Sequence, residues 1–245
     1  MSGAAAGDLP GQVAARLRFL RELTDFPPDP ERAERVRSLI AKPEAGAGAR
    51  EALETVRADL GDCTRCRLAA GRQTIVFGVG DPDADLMFVG EGPGADEDRL
   101  GEPFVGRAGG LLTSIIEKVF ERRRDDVYIA NIVKCRPPGN RNPKADEVAA
   151  CLPFLRRQIA SVRPRVICLL GGVALKALFP ERTSVAAVRG RTLSFAGIPV
   201  VPTYHPAYLI RQSGKALVDL KWKVLDDCKV AIRLLEGRAE APPRR

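Results

Sequence analysis

Arg165-Val166-Ile167-Cys168-Leu169-Leu170 reads as a strand, and residues 173–178 read as a helix that follows it almost at once. Working outward, the same alternation recurs on both sides. Strand-like runs lie at 74–79, 85–89, 127–133 and 198–204, and helix-like runs at 50–60, 109–122, 144–161 and 215–235. Strands alternating with helices build a mostly parallel sheet covered on both faces, so the chain reads as α/β. Functional sites in such sheets lie outside the carboxyl ends of the strands. Three residues fall there: Glu91 after 86–89, Asn131 at the end of 127–131, and His205 after 200–204. Cys168, inside the apolar run, reads as a core residue.

At 245 residues the chain holds one sizeable domain with room for an appendage. Residues 1–46 read as a helical extension and linker. Val13, Leu17, Leu20 and Leu23 recur at near-helical spacing, and Ala45-Gly46-Ala47-Gly48-Ala49 carries the linker signal. The main domain is expected over 47–236, with a disordered tail at 237–245. The apolar share, 45%, is that of a globular protein. No stretch approaches the roughly 18 apolar residues of a membrane span. The first residues lack the basic start and apolar run of a signal peptide, so a cytoplasmic location is expected. The formal net charge of +8 and pI of about 9.4 favour a polyanionic partner, nucleic acid first.

Four cysteines stand in a pattern. Cys63 and Cys66 form a C-x-x-C pair on one tight turn, and Cys135 and Cys151 follow much later in a strand-like and a helix-like run. Folding would bring the second pair to the first, and a shared group would staple the edge of the domain to its middle. By ligand count four thiolates suit Zn²⁺ or a [4Fe–4S] cluster equally. The wide split of the second pair argues against a compact zinc knuckle. Unrelated buried thiols are the alternative that spacing alone leaves open. Cys228 has no cysteine neighbour and receives no role.

Two motifs carry the remaining signal. The first is Gly90-Glu91-Gly92-Pro93-Gly94-Ala95-Asp96-Glu97-Asp98, continuing through Gly101-Glu102-Pro103-Phe104-Val105-Gly106-Arg107. Its glycines let backbone approach a ligand closely. No Gly-Lys-Ser/Thr follows, so it is not a P-loop, and three acidic side chains in a row would repel a phosphate. The second motif, Tyr204-His205-Pro206-Ala207-Tyr208-Leu209, surrounds the only histidine in the chain. A lone histidine is more often structural than catalytic, but its place after a strand, before a proline, reverses that weighting.

Taken in order, Cys63-x2-Cys66, GEGPGADED, EPFVGRAG, NIVKCRPPGNRNP, Cys151 and HPAYL resemble the family 4 uracil-DNA glycosylases. The resemblance runs from about Gly61 to Leu235. It implies a three-layer α/β/α sandwich around a short, mostly parallel sheet, a [4Fe–4S] cluster on Cys63, Cys66, Cys135 and Cys151, and DNA containing uracil as substrate. It implies that Phe104 stacks on the flipped base and that Asn131 reads its edge through a donor and an acceptor. Glu97 would crowd the C5 side and exclude thymine, and His205 would donate to uracil O2. Gly92 belongs to the uracil-binding set and stands where family 1 enzymes carry an aspartate, which leaves Glu91 to orient the water. Leu209 and its neighbours would fill the gap in the DNA, and Arg136 and Arg141 would touch phosphates. No lysine falls in the motifs facing the base, so a monofunctional enzyme is expected. A monomer is expected, and nothing in the extension identifies a partner such as the replication clamp.

Three other readings compete. A broader glycosylase would also take hypoxanthine or xanthine, against which the pair Asn131 and Glu97 stands. A non-catalytic iron–sulfur DNA-binding module would have no need of Phe104, Asn131 and His205 together. A zinc-stabilised fold would be colourless.

Overall fold

A computed structural model describes residues 51–182 and 184–237. The extension expected over 1–46 and the tail expected at 237–245 lie outside these residues, Gly237 excepted. The chain opens with α1 (Leu53–Leu60), passes a 3₁₀ turn at Arg67–Ala70 after the C-x-x-C pair, and reaches β1 (Val79–Gly80) and β2 (Leu86–Gly90). Next come α2 (Ala95–Leu100), α3 (Arg107–Lys118), β3 (Tyr128–Asn131) and α4 (Ala145–Val162). Then follow β4 (Val166–Leu170), α5 (Gly172–Leu178), α6 (Val185–Val188), β5 (Leu193–Phe195) and β6 (Ile198–Thr203). The last helices are α7 (Pro206–Leu209) and α8 (Gly214–Leu235).

The six strands form one sheet in the order β1-β3-β2-β4-β6-β5. The four inner strands are parallel and the two edge strands antiparallel. Every residue of β2 and of β4 is buried, as a strand covered on both faces requires. Alternation divides their side chains. Leu86, Phe88, Val166, Cys168 and Leu170 face α3 and α8, while Met87, Val89, Ile167 and Leu169 face α1, α4 and α5. Two apolar layers therefore sandwich the sheet, giving the three-layer α/β/α arrangement. Full burial of one such aliphatic or aromatic side chain stabilises the fold by about 1.5–3 kcal/mol.

Differences from the sequence reading cluster at edges and turns. The strand expected over 74–79 shrinks to Val79–Gly80. Gly78 and Gly80 have φ of 145° and 114°, and a Cβ on Gly80 would sit 1.8 Å from the Val127 carbonyl oxygen. That close approach needs glycine and leaves no room for a longer ladder. The antiparallel edge strand β5 carries too short a pattern to read. A helix, α2, stands inside what reads as a glycine loop, because its acidic side chains bind main-chain N–H groups.

Candidate active site

The inner strands all end on the same side, and there a cleft of about 750 Å³ opens. Glu91, Gly92, Glu97, Phe104, Asn131, Arg141 and His205 line it, as do Arg211 and Lys176. Leu209 and Arg136 do not. Register explains part of this convergence. Gly90 pairs with Asn131 across β2 and β3, and Gly171, directly after β4, hydrogen-bonds to the Thr203 carbonyl at the end of β6.

Phe104 is held by its backbone. It is a non-glycine residue with φ of 54°, a conformation that needs outside support. The Glu97 carboxylate supplies it. One oxygen accepts from the Val105 and Gly106 N–H groups, each at 3.0 Å, and the other from Gly94 N–H at 3.1 Å. Arg124 donates to the Pro103 carbonyl from the other side. Gly109 lets α3 approach, since a Cβ there would lie 1.9 Å from the Phe104 carbonyl oxygen. Gly90 matters in the same way, because its Cβ would stand 2.5 Å from both Phe104 Cζ and Asn131 Oδ1.

Asn131 is 1% exposed, and among the described residues its buried Oδ1 has no hydrogen-bond partner. A buried acceptor left open is costly and rare, and at the wall of a cleft it marks a place for a ligand donor. His205 packs its ring against Phe104, with centroids 5.4 Å apart and planes 30° apart. The Ala207 N–H donates to His205 Nδ1 at 3.1 Å, so the neutral ring carries its proton on Nε2. Burial, with the Arg211 charge adding to it, lowers the His205 pKa to about 4. The imidazole is therefore neutral at physiological pH, and Nε2–H is a donor without full charge. Burial also raises the pKa of Glu91, with Arg211 working against it.

Three residues expected at DNA have other partners in the structure. Leu209 is 2% exposed and packs into the core beneath α3 and α8, so its side chain is not available to enter DNA. The exposed apolar side chains of that turn are Tyr208 and Ile210, each at 41%, and Tyr208 stacks on Tyr204. Arg141 is committed inward, donating to both oxygens of the fully buried Glu147 at 2.6 and 2.8 Å. Glu147, also held by the Lys144 N–H, has its pKa drawn down to about 2, chiefly by that arginine. Arg136 turns to Asn140 Oδ1 at 2.8 Å. The run of acidic residues in the glycine motif is also spent locally. Asp98 is buried and accepts from the Gln73 and Thr74 N–H groups.

The four patterned cysteines gather at one corner, all of them free thiols. Arg72 joins the two pairs, donating to the Cys63 carbonyl at 2.5 Å and to Cys135 Sγ at 3.6 Å. Arg65 donates to Cys63 Sγ at 3.4 Å, and the Lys134 N–H to Cys151 Sγ at 3.3 Å. Burial raises the pKa of Cys151 and pushes Cys135 up to about 11; thiolates of the other pair act on both in the same direction. Bare thiolates would be unfavourable here, and a bound cationic group reverses that balance. Cationic and N–H donors aimed at sulfur fit such a group. Among the described residues, no three His, Cys, Asp or Glu side chains are grouped tightly enough to hold a single metal ion.

Comparison with known proteins agrees with this architecture. The model of the Uracil DNA glycosylase superfamily matches residues 77–229. A type-4 uracil-DNA glycosylase of Thermotoga maritima is 44% identical over 183 residues, covering 74% of this chain and 93% of that protein. One of Sulfurisphaera tokodaii is 44% identical over 165 residues, covering 64% and 75%. A type-5 uracil-DNA glycosylase of Pyrobaculum aerophilum is 33% identical over 196 residues, covering 67% and 86%. The chain belongs to the type-4 uracil-DNA glycosylases of that superfamily. Among the described residues no helix is long and apolar enough to cross a membrane.

Sequence reasoning missed Gly90, Arg72, Lys134 and Arg211. Arg211 lies six residues after His205 and was within reach of the motif reading. The others act through contacts that link distant parts of the chain.

Proposed function

We propose that this chain removes uracil from DNA by hydrolysing its N-glycosidic bond, the opening step of base excision repair. The observation that carries the reading is the orphaned Asn131 Oδ1, buried in the cleft beside Phe104 and the neutral His205. Uracil offers N3–H to that acceptor and O4 to the amide donor. Cytosine offers the reverse pattern and leaves polar groups unpaired. Phe104 stacks on the flipped base. Glu97, fixed by three main-chain N–H groups, stands as a rigid wall, and we place the thymine methyl against it.

In the reaction the C1′–N1 bond breaks and its electron pair leaves with uracil. The sugar becomes oxocarbenium-like, and negative charge builds on O2. His205 Nε2–H donates there. Such a donor contributes roughly 3–4 kcal/mol where water is excluded. Glu91, its pKa raised, orients a water towards C1′ and takes its proton. Gly92 keeps the wall thin, since a Cβ there would meet Val133 Cγ2 at 2.7 Å. Lys134 is buried away from the cleft and Lys176 lies exposed at its rim, which fits a monofunctional enzyme without a Schiff-base amine. Lys176 and Arg211 supply positive charge at the cleft for phosphates.

The cysteine corner fits a [4Fe–4S] cluster on Cys63, Cys66, Cys135 and Cys151. Bound there, the group would brace the fold and would supply no chemistry to the glycosidic bond. Thiolates shared among several irons would not need to crowd as four do around one ion.

Incubation with uracil-containing and matched thymine-containing oligonucleotides, followed by alkaline cleavage, tests the activity. Strand breaks at uracil alone are expected. Breaks at neither base, or equally at both, overturn the reading.

A further inference from the structure

Lys134 is 1% exposed, and among the described residues no carboxylate pairs with it. Its ammonium donates to the Asn131 carbonyl at 2.8 Å and to Gln158 Oε1 at 2.5 Å. Both acceptors are neutral. A buried cation with only neutral partners is expensive unless negative charge lies close by. The nearest source is the cysteine corner. The main-chain N–H of the same residue donates to Cys151 Sγ at 3.3 Å, and the next residue is Cys135. The rest of the residue is tied down as well. Its carbonyl accepts from Val76 N–H at 2.8 Å, while Gln158 donates onward to the Phe77 carbonyl at 2.9 Å and to Tyr128 at 3.1 Å. Lys134 thus touches the thiol centre with its backbone and the proposed base reader with its side chain.

We propose that Lys134 is a positioning residue that couples the occupied cysteine centre to Asn131. The anionic centre, four thiolates around their metal group, offsets the buried ammonium. The ammonium in turn fixes the carbonyl of Asn131, and so the line along which the orphaned side-chain oxygen meets the base. The proposal rests on Asn131 reading uracil. An apolar residue of like size would leave Gln158 Oε1 without this donor, so the position calls for a polar side chain, and the charged centre beside it accommodates a cationic one.

The test is a double-mutant cycle on the metal-loaded protein with uracil-containing duplex. Lys134→Met should lower the single-turnover rate about 10- to 100-fold, the scale of a small misplacement of a reacting partner. Affinity for an abasic duplex should hold. In an Asn131→Ala background the same change should cost almost nothing further, because the group it positions is gone. A purely structural lysine would give additive losses. The second readout is iron release to a chelator, which should quicken several-fold with Lys134→Met in either background. Should that variant fail to fold, Gln158→Met, which removes the other acceptor, should show a smaller loss with the same non-additivity. Additive losses, or wild-type rate and iron retention in Lys134→Met, overturn the coupling. If Asn131→Ala alone keeps full uracil activity, the base-reading role falls and the coupling falls with it.

Discussion

The cysteine corner and the cleft treat polar groups in opposite ways. At the corner, charged side chains are satisfied several times over. Arg72 holds Asp62, the Cys63 carbonyl and Cys135 Sγ, and Arg157 spans Glu51 and Asp59. In the cleft, Asn131 Oδ1 is buried without a partner among the described residues, Glu91 is half-buried with a raised pKa, and His205 is kept neutral. Satisfied networks fix a shape, whereas open hydrogen-bonding capacity waits for a ligand. One region braces and the other reacts, and apart from the proposed link through Lys134 the two should fail separately when altered.

The largest effect is expected at the corner. Cys135→Ser removes one of four proposed ligands, and the binding of a structural metal group contributes directly to folding free energy. The purified variant should hold almost no iron and melt far below the parent. Retention of full iron and an unchanged melting temperature would show that Cys135 is not a ligand.

Gly90→Ala attacks the cleft alone. The added methyl would push on Phe104 and Asn131 at once. The single-turnover rate should fall about 100-fold, the scale of a 1 Å misplacement, with iron content unchanged. Loss of iron in parallel would break the separation of the two regions.

Arg141→Ala sharpens the boundary. The buried carboxylate of Glu147 loses its partner, so the melting temperature should drop by several degrees. Affinity for DNA should change by less than about threefold, whereas loss of a phosphate contact would weaken binding and flatten its salt dependence. That second pattern would return Arg141 to the DNA surface.

The smallest change is one of pH. A depressed histidine pKa keeps the ring neutral above about 4. As pH falls through that value, His205 gains a proton on Nδ1 and loses its acceptor for Ala207 N–H. In Glu91→Gln, where the carboxylate no longer titrates, the remaining activity should stay level from pH 8 to 5 and decline only near 4. A limb near 6.5, the usual histidine value, would contradict the buried neutral ring.

Much of this was legible in the residues. Apolar runs at 86–89, 127–131, 166–170 and 200–204 set the inner strands, and the ends of three of them pointed to Glu91, Asn131 and His205. The four cysteines stood out by pattern. What could not be read depends on direction within a turn or on contacts between distant segments. Leu209 and Tyr208 are neighbours on one short helix, yet one faces the core and the other the solvent. Glu97 reads as a free acid until the backbone of 105–106 folds over it. Lys134 reads as one more basic residue, and only the packing of α4 against β3 shows that it is buried. Gly90 gains meaning from atoms 14 and 41 residues away, and Gly109 from a carbonyl five residues back across a turn.

The central claim is that the neutral His205 supplies the donor for the departing base while the cysteine corner supplies no chemistry to it. Single-turnover excision of uracil by His205→Ala, with iron content and abasic-duplex affinity measured on the same preparation, tests it most directly. The account predicts a rate lower by roughly 100- to 1,000-fold, the usual loss for one such donor, with iron and affinity unchanged. A rate near that of the parent, or a loss of iron or affinity that matches the loss of rate, would contradict it.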